Sequence, residues 1–100
     1  MDFVESKLVE LKETIVDDIK KEVIAFINSE GGNLYVGVAD DGHVIGLDDP
    51  QSDMLRLTNM IRDTIKPDAT MFVECQIEKI NTKDIVRVQV QKGTHAPYYL

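Results

Sequence analysis

The sequence predicts an α+β domain, a mixed sheet of about five strands with two helices packed on one face, in the order β-α-β-β-α-β-β. Three observations carry this reading. Apolar residues recur at helical spacing in two segments and alternate at period two in several others. Turn signals join neighbouring strands, so hairpins outnumber the helical crossovers that a doubly wound sheet would need.

The chain of 100 residues is read as a single domain over 1–100, large enough for one real core. No run approaches the ~18 apolar residues of a membrane span. The start, Met1-Asp2-Phe3-Val4-Glu5, lacks the basic and then apolar regions of a secretory signal. The single Cys75 has no internal partner, and no Cys/His pair has zinc spacing. Together these features lead us to expect a reduced core thiol in a cytoplasmic protein.

Taken in order, residues 1–7 are polar and read as a helical turn or an extended arm. Leu8 to Lys12 read as a short strand, with Leu8, Glu10 and Lys12 opposite Val9 and Leu11. Thr14 followed by Asp17 fits a capping box, which would place Asp17 and Asp18 in the first turn of a helix. Ile15, Ile19, Val23, Phe26 and Ile27 form that helix's apolar stripe.

Gly31 and Gly32 follow at once. A glycine there takes positive φ cheaply and lets the chain reverse into a strand, so one of the two is expected to have it. Leu34, Val36 and Val38 then alternate with Tyr35, Gly37 and Ala39. Asp40-Asp41-Gly42 is a hairpin turn signal, with Gly42 as the turn glycine, and Val44, Ile45 and Leu47 begin a return strand. Gly37 and Gly46 fall on the paired strands of this hairpin, where a missing side chain lets something approach.

Asp49 as cap and Pro50 at the first helical position start the second helix. Met54, Leu57, Ile61 and Ile65 are its stripe, and Pro67 stops it. Met71, Val73, Cys75 and Ile77 alternate with Phe72, Glu74, Gln76 and Glu78 as a strand. Asn81 to Asp84 make a turn, and Ile85, Arg87 and Gln89 alternate with Val86, Val88 and Val90 in the last strand. An uncapped edge strand would also allow two copies to pair as a homodimer.

Eighteen Asp and Glu against eleven Lys and Arg give a formal net charge of −7. Overall charge therefore opposes phosphate binding, and nucleic acid could be held only by a local basic patch. Lys12, Lys20 and Lys21, with Arg56 and Arg62 on the second helix, are the candidates, since all lie off the apolar stripes. Glu30-Gly31-Gly32-Asn33 lacks the G-K-[ST] end of a Walker loop, so nucleotide hydrolysis has no support. His43 in a turn and His95 in the tail have no nucleophile or acid in view and read as surface residues.

The helix ending in F-I-N-S-E-G-G, followed by L-Y-V-G-V-x-D-D-G-x-V-x-G, resembles the Schlafen AlbA-like family of nucleic-acid-binding domains. The likeness runs from Glu5-x4-Glu10-Leu11-Lys12 to Thr94-His95-Ala96-Pro97-Tyr98-Tyr99, nearly the whole chain. Such domains occur in bacterial proteins labelled transcriptional regulators or helicase-related, and in animal Schlafen proteins. The family pattern runs on past Tyr99 into another strand with a basic residue, so the resemblance implies a domain excised from a longer protein.

In the ribonuclease members, two glutamates at this spacing and an aspartate after the G-V strand form a metal-dependent nuclease site. By resemblance those catalytic and metal-binding roles fall on Glu5, Glu10 and Asp40, with Mg²⁺ or Mn²⁺ as cofactor, since such ions take hard oxygen ligands. Those enzymes use a tandem pair of domains, and this chain has one copy. Three classes stay open at this point: a non-catalytic DNA- or RNA-binding module, a metal-dependent endoribonuclease, and a protein-interaction or dimerisation domain.

Overall fold

A computed structural model describes residues 3–100. Four strands form one mixed sheet: β1 (Val9–Lys12), β2 (Gly32–Val36), β3 (Val73–Ile80) and β4 (Lys83–Val90), in the spatial order β1-β2-β4-β3. β1 and β2 run parallel, with Glu10 beside Leu34 and Lys12 beside Val36, and the other pairings are antiparallel. The helices are α1 (Ile19–Ile27) and α2 (Pro50–Thr64).

Both helices cover the same face. Ile19, Val23, Phe26 and Ile27 of α1 and Leu57 and Ile61 of α2 join Leu34, Val36, Val86, Val88 and Val90 in one core. The opposite face carries a smaller cluster, Leu11, Val38 and Ile85, with Phe3 and Tyr35 packed on it. The Phe3 and Tyr35 rings lie 4.6 Å apart between centroids, which ties the N-terminal arm to the sheet.

The sheet has four strands rather than about five because the return segment after Asp40-Asp41-Gly42 does not become a strand. Gly37 adopts φ +104, which breaks the pleat just after Val36. The hairpin shrinks to a single Val38–Val44 bridge, and the Ile45 and Gly46 amides both donate to the Gly37 carbonyl. Gly37 and Gly46 therefore lie beyond the strands, not on them. The turn itself forms as expected, with Gly42 N–H donating to Ala39 O at 2.8 Å.

At the end of α1, Gly31 is the glycine with positive φ (+81), and its N–H donates to Phe26 O at 2.8 Å. Gly32 serves close approach instead, because a Cβ there would meet the Phe26 ring. The start of α1 differs from the expectation. The helix begins at Ile19, four positions later than a Thr14 cap requires, and no side chain caps it. Asp17 and Asp18 lie in the turn before it, where they pair with Lys20 and Lys21. Ile15 still reaches the core from the preceding loop.

α2 starts as expected, with Asp49 accepting from Ser52 N–H at 3.1 Å and Pro50 in the first turn. Before β3, Thr70–Phe72 form a 3-10 turn, so Met71 leaves the strand alternation and is 81% exposed. The β3–β4 connection tightens to Asn81 and Thr82, both with positive φ, and Lys83 and Asp84 belong to β4. No described helix is long and apolar enough to cross a membrane.

The C-terminal tail is fastened to both helix ends. Asn28 and Tyr98 exchange two hydrogen bonds, at 3.0 and 2.7 Å, and Lys66 and Tyr99 exchange two more at 2.7 Å. Tyr98 is buried.

Candidate functional site

The N-terminal arm turns back on itself through an antiparallel Ser6–Val9 bridge. In that register Glu5 stands opposite Glu10, which gives the spacing of the two glutamates a geometric meaning. Glu10 lies on β1 beside Leu34, and parallel partners share a face, so it points to the α1 side. Asp40 follows β2, beyond the carboxyl ends of the parallel pair.

Glu5, Glu10 and Asp40 line one open cleft of about 500 Å³, together with Lys12, Glu13 and Thr14. Burial, then the charge of Glu22 on α1 and a hydrogen bond with Glu5, push Glu10 up to about 7 from 4.5, while Lys12 pulls the other way. Glu10 therefore keeps its proton further up the pH scale than a free glutamate does. Among the described residues, no three His, Cys, Asp or Glu side chains are gathered as one metal coordination sphere needs. The cleft unites the carboxylates that the sequence singled out, with Glu5 and Glu10 facing each other.

The basic candidates are scattered and mostly engaged. Lys20 bonds Asp17 at 2.9 Å, Lys21 approaches Asp18 at 3.7 Å, Arg56 approaches Asp53 at 3.7 Å and Arg62 bonds Asp63 at 3.0 Å. These are exposed pairs of small net worth, and each is open to exchange with a phosphate. Lys12 makes no salt bridge among the described residues and sits on the wall of the acidic cleft. Among the described residues Lys7, Lys66, Lys83 and Lys92 are likewise without one and were not singled out from the sequence. The i,i+3 pairing of Asp17, Asp18 and Asp53 with the basic residues could have been read there.

Of the other singled-out residues, Gly31, Gly32 and Gly42 shape turns and close approaches. His43 pairs with Asp41 at 2.6 Å and is well exposed, which holds the Asp41 carboxyl below its usual range through the backbone and side-chain bonds of His43. Burial pushes the Cys75 thiol up to about 11, so it is a poor nucleophile.

The family model described as Schlafen, AlbA_2 matches residues 5–100. The N-terminal domain of a protein from Nitrosomonas europaea, described as related to the ATP-dependent DNA helicase RecG, superposes with a TM-score of 0.76 at 26% identity, covering 95% of this chain and 71% of that one. The DIP2311 protein of Corynebacterium diphtheriae superposes with a TM-score of 0.69 at 20% identity, covering 92% of this chain and 19% of that one, a likeness of fold. No curated protein matches the sequence.

Proposed function

Because the chain belongs to the Schlafen AlbA_2 family, we propose that it is a nucleic-acid-binding module, non-catalytic by itself, within a longer bacterial transcriptional regulator or helicase-related protein. The observation that carries this reading is the family match across residues 5–100, joined by the likeness to a helicase-related domain at 26% identity. Lys12, Lys20 and Lys21 supply the main phosphate contacts, with Arg56 and Arg62 as secondary ones. Their neighbouring aspartates and the acidic cleft keep the affinity modest and sensitive to salt.

Equilibrium binding to labelled duplex DNA, single-stranded DNA and RNA tests this reading. The triple variant Lys12→Glu, Lys20→Glu, Lys21→Glu should lose the binding of the wild type, and equal binding by both would refute these contacts.

A second reading, a metal-dependent endoribonuclease, is favoured by one observation: Glu5, Glu10 and Asp40 line a single cleft. It requires Glu10 to give up its proton to the ion on binding. Millimolar Mn²⁺ should then raise the melting temperature of the wild type and of Asp84→Asn but not of Glu10→Gln, through preferential binding to the folded state. Cleavage of a structured RNA, lost in Glu10→Gln, would be needed in addition.

A further inference from the structure

The two edges of the sheet are not alike. β1 is four residues long, and its outer side is turned in on itself by the Ser6–Val9 bridge. β3 is eight residues long, and no strand pairs with its outer side among the described residues. The Gln91 N–H donates to Phe72 O at 2.8 Å, in register with the Val73–Val90 pair. By alternation, Val73, Cys75, Ile77 and Lys79 therefore turn their backbone N–H and C=O groups outward. A long, open edge of this kind is a template for another strand.

Beside this edge lies a groove of about 170 Å³ lined by Thr58, Ile61, Thr70, Val73 and Cys75. Two strongly exposed apolar side chains flank it: Met71, 81% exposed next to Thr70, and Leu55, 61% exposed one turn before Thr58 on α2.

We propose that β3 pairs antiparallel with β3 of a second copy of this chain about a two-fold axis at Cys75, extending the sheet across two molecules. Charge and polarity select this register among those the edge allows. Centring on Cys75 sets Val73 opposite Ile77 of the second copy, which makes an apolar row on the helix face. On the open face it sets Glu74 opposite Gln76, so an amide donates to a carboxylate on each side of the axis.

Centring on Gln76 would oppose Glu74 to Glu78, a like-charge pair, and centring on Ile77 would set Cys75 against Lys79. The Cys75 register makes about six new backbone hydrogen bonds. An edge about 26 Å long also brings α2 towards its counterpart near the axis. Leu55 and Met71 can then add area towards the ~800 Å² per partner of a standard interface.

Sedimentation velocity up to about 1 mM protein tests the association, and Cys75 reports its register. Hydrogen-bonded antiparallel partners have Cα atoms about 5.5 Å apart, within disulfide reach. Oxidation with copper phenanthroline at alkaline pH should convert the associating protein to a covalent dimer through Cys75. Gln76→Glu, an exposed change that sets like charges on both sides of the axis, should weaken association about tenfold while leaving the melting temperature of the dilute monomer unchanged. A protein that stays monomeric throughout, a dimer that does not cross-link through Cys75, or an association unaffected by Gln76→Glu would each overturn the proposal.

Discussion

Glu5 stands opposite Glu10 because the Ser6–Val9 bridge folds the arm back along β1. Burial first, then Glu22 and this Glu5 contact, raise Glu10 from 4.5 to about 7. The folded state thus keeps a proton that the unfolded chain has lost between these two values. Stability should fall as pH rises through that window and stay reduced above it. Glu10→Gln should flatten the melting temperature between pH 4.5 and 7 and raise it at pH 8, by an amount that solvent screening of a partly exposed group keeps small. Parallel pH profiles for the two proteins would show that Glu10 does not titrate this way.

Gly31 joins α1 to β2 with φ +81, and a Cβ there would lie 2.5 Å from Val90 O. Gly31→Val should destabilise the domain by roughly 2 kcal/mol or more, from backbone strain and this clash together. Urea denaturation measures it, and a change below about 0.5 kcal/mol, the usual range for a surface substitution, would contradict the account.

Gly42 receives the arm, since Phe3 N–H donates to its carbonyl at 3.1 Å and a Cβ on it would overlap Phe3 O. Gly42→Ala should therefore detach the arm while the sheet persists. Hydrogen exchange would show the Phe3 amide losing protection while the Leu34 and Val88 amides keep theirs. Retained protection at Phe3 would mean that the turn adjusts without releasing the arm.

Lys20 and Lys21 are held by Asp17 and Asp18. If they contact phosphates, Asp17→Asn combined with Asp18→Asn should tighten nucleic-acid binding, by several-fold at low salt where screening is weak. Unchanged affinity would remove α1 from the proposed contact surface.

The sequence made the fold legible where chemistry is local. Asp49-Pro50 marks a helix start, Gly31 a positive-φ exit and Asp40-Asp41-Gly42 a turn, because each depends on a few adjacent residues. It misled where the chain departed from the local pattern. Thr14 fits a cap by spacing, but the chain is still in a turn at Asp17 and Asp18, and α1 starts at Ile19 without a side-chain cap. Gly37 ends β2 and leaves Val44 and Ile45 without a strand to extend.

For the site, the family motif indicated which acids share a cleft, and the structure adds that Glu5 and Glu10 meet through a reversed arm. The influence of Glu22 on Glu10 acts across tertiary packing, and no local spacing reveals it. The assignment of the cations to one strand and two helices was, by contrast, legible in the sequence.

The central claim is nucleic-acid binding through a few lysines on an acidic domain. It is tested most directly by fluorescence anisotropy of a labelled duplex titrated with the wild-type protein across a series of salt concentrations. The account predicts binding at low salt whose logarithm falls linearly with the logarithm of salt, with a slope of about −0.9 per phosphate neutralised, hence about −3 for Lys12, Lys20 and Lys21. No binding to duplex or to single strands at the lowest salt would contradict it, and so would binding that salt does not weaken.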